Sequence, residues 1–153
     1  MRSAHQILDE PRVFDDPLAL LIIGHESSAA LQTAPQQFAA AQGSDLLRAF
    51  IAARSRYTED VLAEAVRRGL RQYVILGAGL DTFAYRNPHT QARLRVFEVD
   101  HPATQSWKRA QLEIAGISIP ASLTFVPVDF EVMNRAIKGR WCIIENVINQ
   151  WLI

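Results

Sequence analysis

The stretch Tyr73-Val74-Ile75-Leu76-Gly77-Ala78-Gly79-Leu80-Asp81-Thr82 constrains this chain more than any other. Four apolar, β-favouring residues run directly into Gly-Ala-Gly, and a second short run, Val96-Phe97-Glu98-Val99-Asp100, follows after a polar interval. Short apolar runs bounded by polar sequence predict strands buried on both faces, as in a parallel sheet. Gly77 and Gly79 mark where the first strand turns, and without a Cβ they let a ligand lie against bare backbone. Asp100 ends the second run about 20 positions beyond the glycines, the spacing at which an acid accepts hydrogen bonds from ribose hydroxyls in nucleotide-binding βαβ units. For the glycines alone an ordinary tight turn explains as much. Strand, glycine turn and spaced acid together point to a nucleotide-type cofactor site.

The rest of the chain alternates in the same sense. Asp16 can cap a short helix starting at Pro17 and stopped by Gly24, whereas 27–44, rich in Ala, Gln and Ser around Pro35, reads as a mobile connection or weak helix. From Ser44 the apolar positions Leu46, Leu47, Phe50, Ile51, Tyr57, Val61, Leu62 and Val66 recur at helical spacing, ending at Arg67-Arg68-Gly69 with a break expected near Ser55. Arg54 and Arg56 on this helix are ordinary solvated charges by default, but either can hold a ligand carboxylate bidentately beside the glycine turn. Beyond the turn the sequence predicts a short helix over 81–86, a strand over 94–100, a helix from Pro102 to Gly116 and a third strand from Leu123 to Phe130. Pro127 in that last run is a problem for any central position. Such alternation predicts an α/β fold with a parallel sheet and with ligands at the carboxyl ends of its strands, where Gly77–Asp81, Glu98, Asp100 and Asp129 all fall.

Composition excludes several partner classes. Sixteen basic residues balance sixteen acidic ones among 153, so no global field draws in nucleic acid or an anionic membrane. Cys142 is the only cysteine, which rules out an intrachain disulfide and a thiol-based zinc site and fits a cytoplasmic setting. No uncharged apolar run approaches the roughly 18 residues of a membrane span, and the first residues lack the apolar core of a signal peptide.

The motifs resemble those of the S-adenosylmethionine-dependent methyltransferases of the leucine carboxyl methyltransferase type, with bacterial relatives linked to polyketide tailoring. The similar text is Phe14-Asp15-Asp16-Pro17-Leu18-Ala19, Arg54, Arg56-Tyr57, the block Val74 to Arg86, Phe97-Glu98-Val99-Asp100-His101-Pro102, Lys108-Arg109 and Phe125 to Glu131. The Gly-Ala-Gly-Leu-Asp-Thr block together with Glu-Val-Asp-x-Pro is the specific part. The resemblance implies a Rossmann-like class I methyltransferase fold with an N-terminal helical extension. It also implies S-adenosyl-L-methionine as cofactor. By position, Arg54 pairs with the methionine carboxylate, Gly77, Ala78, Gly79 and Asp81 pass close to the methionyl and ribosyl parts, and Asp129 and Phe130 lie beside the adenine. Asp100 is expected to hold the ribose, with Glu98, two residues earlier on the same strand face, as its rival.

The reaction implied is methyl transfer to a carboxylate or hydroxyl oxygen of a small molecule or peptide terminus, for which positioning suffices and no metal is required. Of His5, His25, His89 and His101, only His101 lies near the expected site as a base for a hydroxyl acceptor, and a helix-start role explains it equally. The rival is a domain binding NAD(P) or FAD, whose third glycine would stand where this chain has Thr82.

The family's chains are roughly twice as long and continue with further strands, whereas 132–153 reads as a divergent tail ending in the apolar run Trp141 to Ile153. The division expected is a helical segment over 1–69, a cofactor-binding core over 70–131 and that tail. A truncated or frame-shifted chain is therefore expected, carrying an incomplete, N-terminal half of the fold and self-associating through an exposed sheet edge. An inactive form, or a non-catalytic remnant acting only through a partner, remains an alternative.

Overall fold

The computed structural model describes residues 1–39 and 43–132. Its frame is three strands rich in β-branched and aromatic residues: β1 (Gln72–Leu76), β2 (Arg95–Asp100) and β3 (Leu123–Pro127). They pair in parallel in the order β1-β2-β3, with Val74 beside Phe97, Glu98 beside Phe125 and Asp100 beside Pro127. Parallel neighbours need crossovers. The first runs through a single 3-10 turn at Phe83–Tyr85 and another at Thr90–Ala92, and the second through a full helix. The expected short element after the glycine turn is therefore present, tightened by Asp81, whose Oδ1 accepts the Phe83 N–H at 2.8 Å.

Alternation along β2 divides the core. Val96 faces a cluster with Leu62, Val66, Phe83, Leu94 and Leu123, while Phe97 and Val99 face the other way, with Val126 and Val128. Glu98 and Asp100 thus share the face covered by the helices. Pro127 fits because β3 is an edge of the described sheet and Pro127 is its last residue; the ladder is continued by Val128, whose N–H donates to the Asp100 carbonyl at 2.8 Å.

Helices α1 (Arg2–Leu8), α2 (His25–Thr33), α3 (Pro35–Ala39) and α4 (Ser44–Arg67) precede the sheet, and α5 (Pro102–Ile114) links β2 to β3. Two sequence expectations change here, the helix at Pro17 and the break near Ser55. The helix proposed over 17–23 is a series of turns: Asp16 Oδ1 does accept the Leu18 N–H at 3.2 Å, but its Oδ2 is taken by Thr82, and the Ala19 carbonyl is taken by the Ser3 hydroxyl at 2.7 Å. The stretch beyond Ser27, expected as a connection or weak helix, takes the helical alternative, with α3 and most of α2 lying in it. α4 is unbroken at Ser55, whose hydroxyl donates back to the Ile51 carbonyl at 2.8 Å and so is satisfied within the helix. Its N-cap is Gly43, at φ 76°.

The N-terminal segment is bonded to the sheet domain. Arg2 donates to Asp81 Oδ2 at 2.9 Å, and Thr82, fully buried, donates to Asp16 Oδ2 at 2.7 Å. The tail expected over 132–153, Cys142 included, lies outside the described residues apart from Val132.

Candidate cofactor site

At the carboxyl end of β1 the chain folds back on β2. The Gly77 N–H donates to the Val99 carbonyl at 2.8 Å and the Asp81 N–H to the Ala78 carbonyl at 2.7 Å. This path requires φ of 62° at Gly77 and 47° at Gly79, where a side chain is strained. A Cβ at Gly77 would stand in open space with no heavy atom within 4 Å. That space belongs to a cavity of about 440 Å³ walled by the turn on one side and by α4 on the other, within the range of small-molecule sites.

Arg54, Gly77, Ala78, Gly79 and Asp81 all line this cavity. Arg54 is exposed, and among the described residues no carboxylate pairs with it, whereas its neighbour Arg56 pairs with Asp60 at 2.8 Å. Residue type alone left either arginine open, and the family resemblance named Arg54; Arg54 is the one that lines the cavity. Asp100 is joined to the turn directly, its Oδ2 accepting the Gly79 N–H at 2.5 Å and its Oδ1 the His101 N–H at 2.7 Å. Two carboxylate oxygens have about four acceptor positions, so capacity remains for a diol.

Asp129 and Phe130 stand at the next strand end and do not line the cavity. Asp129 Oδ1 accepts the N–H groups of Glu131 and Val132, at 2.9 and 3.2 Å, and Oδ2 lies 3.6 Å from His101 Nε2. The Phe130 ring is largely exposed beside it. Glu98 needs correction: its carboxylate is 1% exposed and bonded to Lys108 beneath the turn, so it does not stand on the rim beside Asp100. The shared strand face was read correctly, but the depth along that face was not.

No histidine lines the cavity among the described residues. His101 Nδ1 accepts the Ala103 N–H at 3.1 Å, the helix-start role. His5 is buried against Asp9, His25 opens α2, and His89 packs on Phe83. Tyr73 does line it; burial first, then the nearby Asp81 and Glu59 carboxylates, push its phenol up to about 12, so it remains a proton donor at neutral pH. Among the described residues no group of three or more His, Cys, Asp or Glu side chains could hold a metal ion.

Sequence reasoning missed Arg2 and Glu59, which line the cavity while bonded to Asp81 and Arg86, and the buried Asp16–Thr82 pair to which Arg86 donates. Asp16 carried a signal, a buried acid in an apolar segment, but it had been read as a helix cap. Nothing local to Arg2 marks it.

The sequence profile of the leucine carboxyl methyltransferase family matches residues 1–139. The chain belongs to this family. Its parallel sheet is accordingly part of a Rossmann-like methyltransferase fold. A Bacillus subtilis (strain 168) member, provisionally named S-adenosyl-L-methionine-dependent methyltransferase YktD, is 38% identical, with 84% of this chain and 49% of the relative covered. A similarly named protein of Frankia alni (strain DSM 45986) is 36% identical over 77% of this chain and 41% of its own. A third, from Mycolicibacterium paratuberculosis, is 46% identical over 53% of this chain and 26% of its own. The chain thus spans about half or less of the length of these relatives.

Proposed function

We propose that the chain binds S-adenosyl-L-methionine in the cavity between α4 and the glycine turn and serves as the cofactor half of an O-methyltransferase. The observation that carries this reading is that an arginine and the glycine turn line one cavity, while an acid that does not itself line it is bonded to the turn. An unpaired guanidinium at Arg54 suits the amino-acid carboxylate, a turn without Cβ atoms at Gly77 and Gly79 admits the body of the ligand, and the Asp100 carboxylate suits the ribose hydroxyls. Ala78 and Asp81 complete the turn, and the proposal assigns Asp129 and Phe130, at the next strand end and outside the cavity, to the adenine. The names of the relatives, which state dependence on S-adenosyl-L-methionine, agree.

When bound, the cofactor supplies a methyl group activated by a positive sulfur, and transfer needs chiefly an aligned oxygen nucleophile. A carboxylate acceptor is already ionised at neutral pH and needs no base, which agrees with a cavity free of histidine among the described residues. We therefore favour a carboxylate on a small molecule or peptide terminus over a hydroxyl. The segments 1–69 and 70–131 act together in this reading, because Arg2 and Asp16 reach the turn from the first. Self-association is proposed through β1, an edge of the described sheet on which Leu76 is half exposed. No helix among the described residues is long and apolar enough to cross a membrane.

Isothermal titration of the chain with S-adenosyl-L-methionine and with reduced nicotinamide dinucleotide tests the cofactor, the first giving heat and thermal stabilisation and the second none. Absence of both effects at millimolar S-adenosyl-L-methionine would overturn the reading. Transfer of labelled methyl to matched carboxylic acids and alcohols then decides the acceptor class.

A further inference from the structure

Lys108 belongs to α5, yet its side chain is 1% exposed and ends beneath the glycine turn. Its Nζ donates to the main-chain carbonyl of Asp81 at 2.7 Å and to Glu98 Oε2 at 2.6 Å. A buried ion pair is a poor source of stability: desolvation offsets much of the attraction, and apolar replacements of both partners are often neutral or stabilising. The cost is visible here. Burial raises the Glu98 carboxyl and lowers the Lys108 ammonium from their ordinary values, and Glu98 Oε1 is buried without a hydrogen-bond partner. An acid shifted up and a base shifted down on folding both subtract stability at neutral pH, where both are charged in the unfolded chain.

Geometry gives the pair a different purpose. The turn is held from above by Gly77 on the Val99 carbonyl and by Gly79 on Asp100, and its exit, the Asp81 carbonyl, is held from below by Lys108. Glu98 anchors that lysine two residues before Asp100 on the same strand. We infer that Lys108 is a positioning residue of the cofactor site, fixing the exit of the glycine turn to β2 so that the bare backbone and the Asp100 carboxylate keep one spacing. It does not line the cavity and acts only through the turn. The inference rests on the proposed reading of the cavity as an S-adenosyl-L-methionine site.

The test compares the full chain with Lys108→Met and with Lys108→Met/Glu98→Leu, by thermal midpoint, by affinity for S-adenosyl-L-methionine and by amide hydrogen exchange of residues 79–82 without ligand. Lys108→Met leaves Glu98 buried and unpaired, so its midpoint falls. In the double variant the midpoint returns to or above that of the parent, while affinity stays down by about tenfold or more, as for other lost supporting contacts, and exchange at 79–82 stays faster. Recovery of affinity and exchange together with the midpoint would reduce Lys108 to a structural role and overturn the inference. Unchanged affinity and exchange in Lys108→Met would do the same. If the parent chain binds no S-adenosyl-L-methionine, the cofactor reading fails by itself, and the exchange measurement still decides whether Lys108 orders the turn.

Discussion

Gly79 donates its main-chain N–H to the Asp100 carboxylate at 2.5 Å, so the residue that must lack a side chain and the residue that must carry a charge are directly bonded. The glycine corner of β1 and the acid at the end of β2 are therefore joined by one hydrogen bond. Asp100→Ala removes both the proposed diol acceptor and the support of the turn. Affinity for S-adenosyl-L-methionine is expected to fall by about 10–100-fold, since hydrogen bonds to charged groups are worth about 1.5–3 kcal/mol. Calorimetric titration checks this.

The glycine turn can be separated from general backbone strain by using Gly116 as a control. Gly77 and Gly116 have φ of 62° and 66°, and neither would meet a heavy atom within 4 Å on gaining a Cβ. Alanine at either position is expected to cost about 1–2 kcal/mol of stability, a midpoint loss of about 2–8 °C at this chain length. Only Gly77→Ala should also weaken cofactor binding, because only there does the new methyl group enter the cavity wall. Equal affinities for the two variants would count against the site.

Arg54 and Arg56 differ in whether their charge is already used. Arg54→Met is expected to weaken S-adenosyl-L-methionine by about tenfold or more while leaving 5′-methylthioadenosine, which has no carboxylate, unaffected. Arg56→Met should alter neither, since its exposed pair with Asp60 is an i,i+4 pair of the kind worth about 0.3–0.5 kcal/mol. Competition binding with the two ligands distinguishes the outcomes.

Acid should unfold the N-terminal segment first. The Arg48 guanidinium, which donates to both Asp9 oxygens, holds the Asp9 carboxyl below its ordinary value, with His5 adding to the effect. A depressed acid contributes stability that is complete above the unfolded value near pH 4 and is lost as pH falls through the lower folded value. Asp9→Asn should therefore flatten the loss of thermal midpoint below about pH 4. At neutral pH it should cost on the order of 3 kcal/mol, because Arg48 is 5% exposed and would be left without its carboxylate. Thermal unfolding across pH 2–7 measures both.

Much of this protein was legible in its sequence because the relevant physics is local. Apolar runs of fixed length become strands of a parallel sheet, glycines mark positive φ at 77 and 79, and an acid at the end of the second strand must emerge near the turn because parallel strands end together. The amphipathic repeat from Ser44 to Arg67 likewise fixed α4. Pro127 looked like an obstacle only while the position of its strand in the sheet was unknown.

Only the tertiary structure could decide the rest. That Asp16 bonds Thr82 as well as the Leu18 N–H, that the Arg54 side of α4 faces the glycine turn, and that Glu98 sinks onto Lys108 rather than reaching the rim depend on partners far away in the chain. A side chain's type announces what it can bond, but burial and the angle at which one element crosses another determine which bond it makes. The sequence by itself therefore determined the elements, the glycine corner and its acid; packing decided which charges are spent inside the protein and which are left for a ligand.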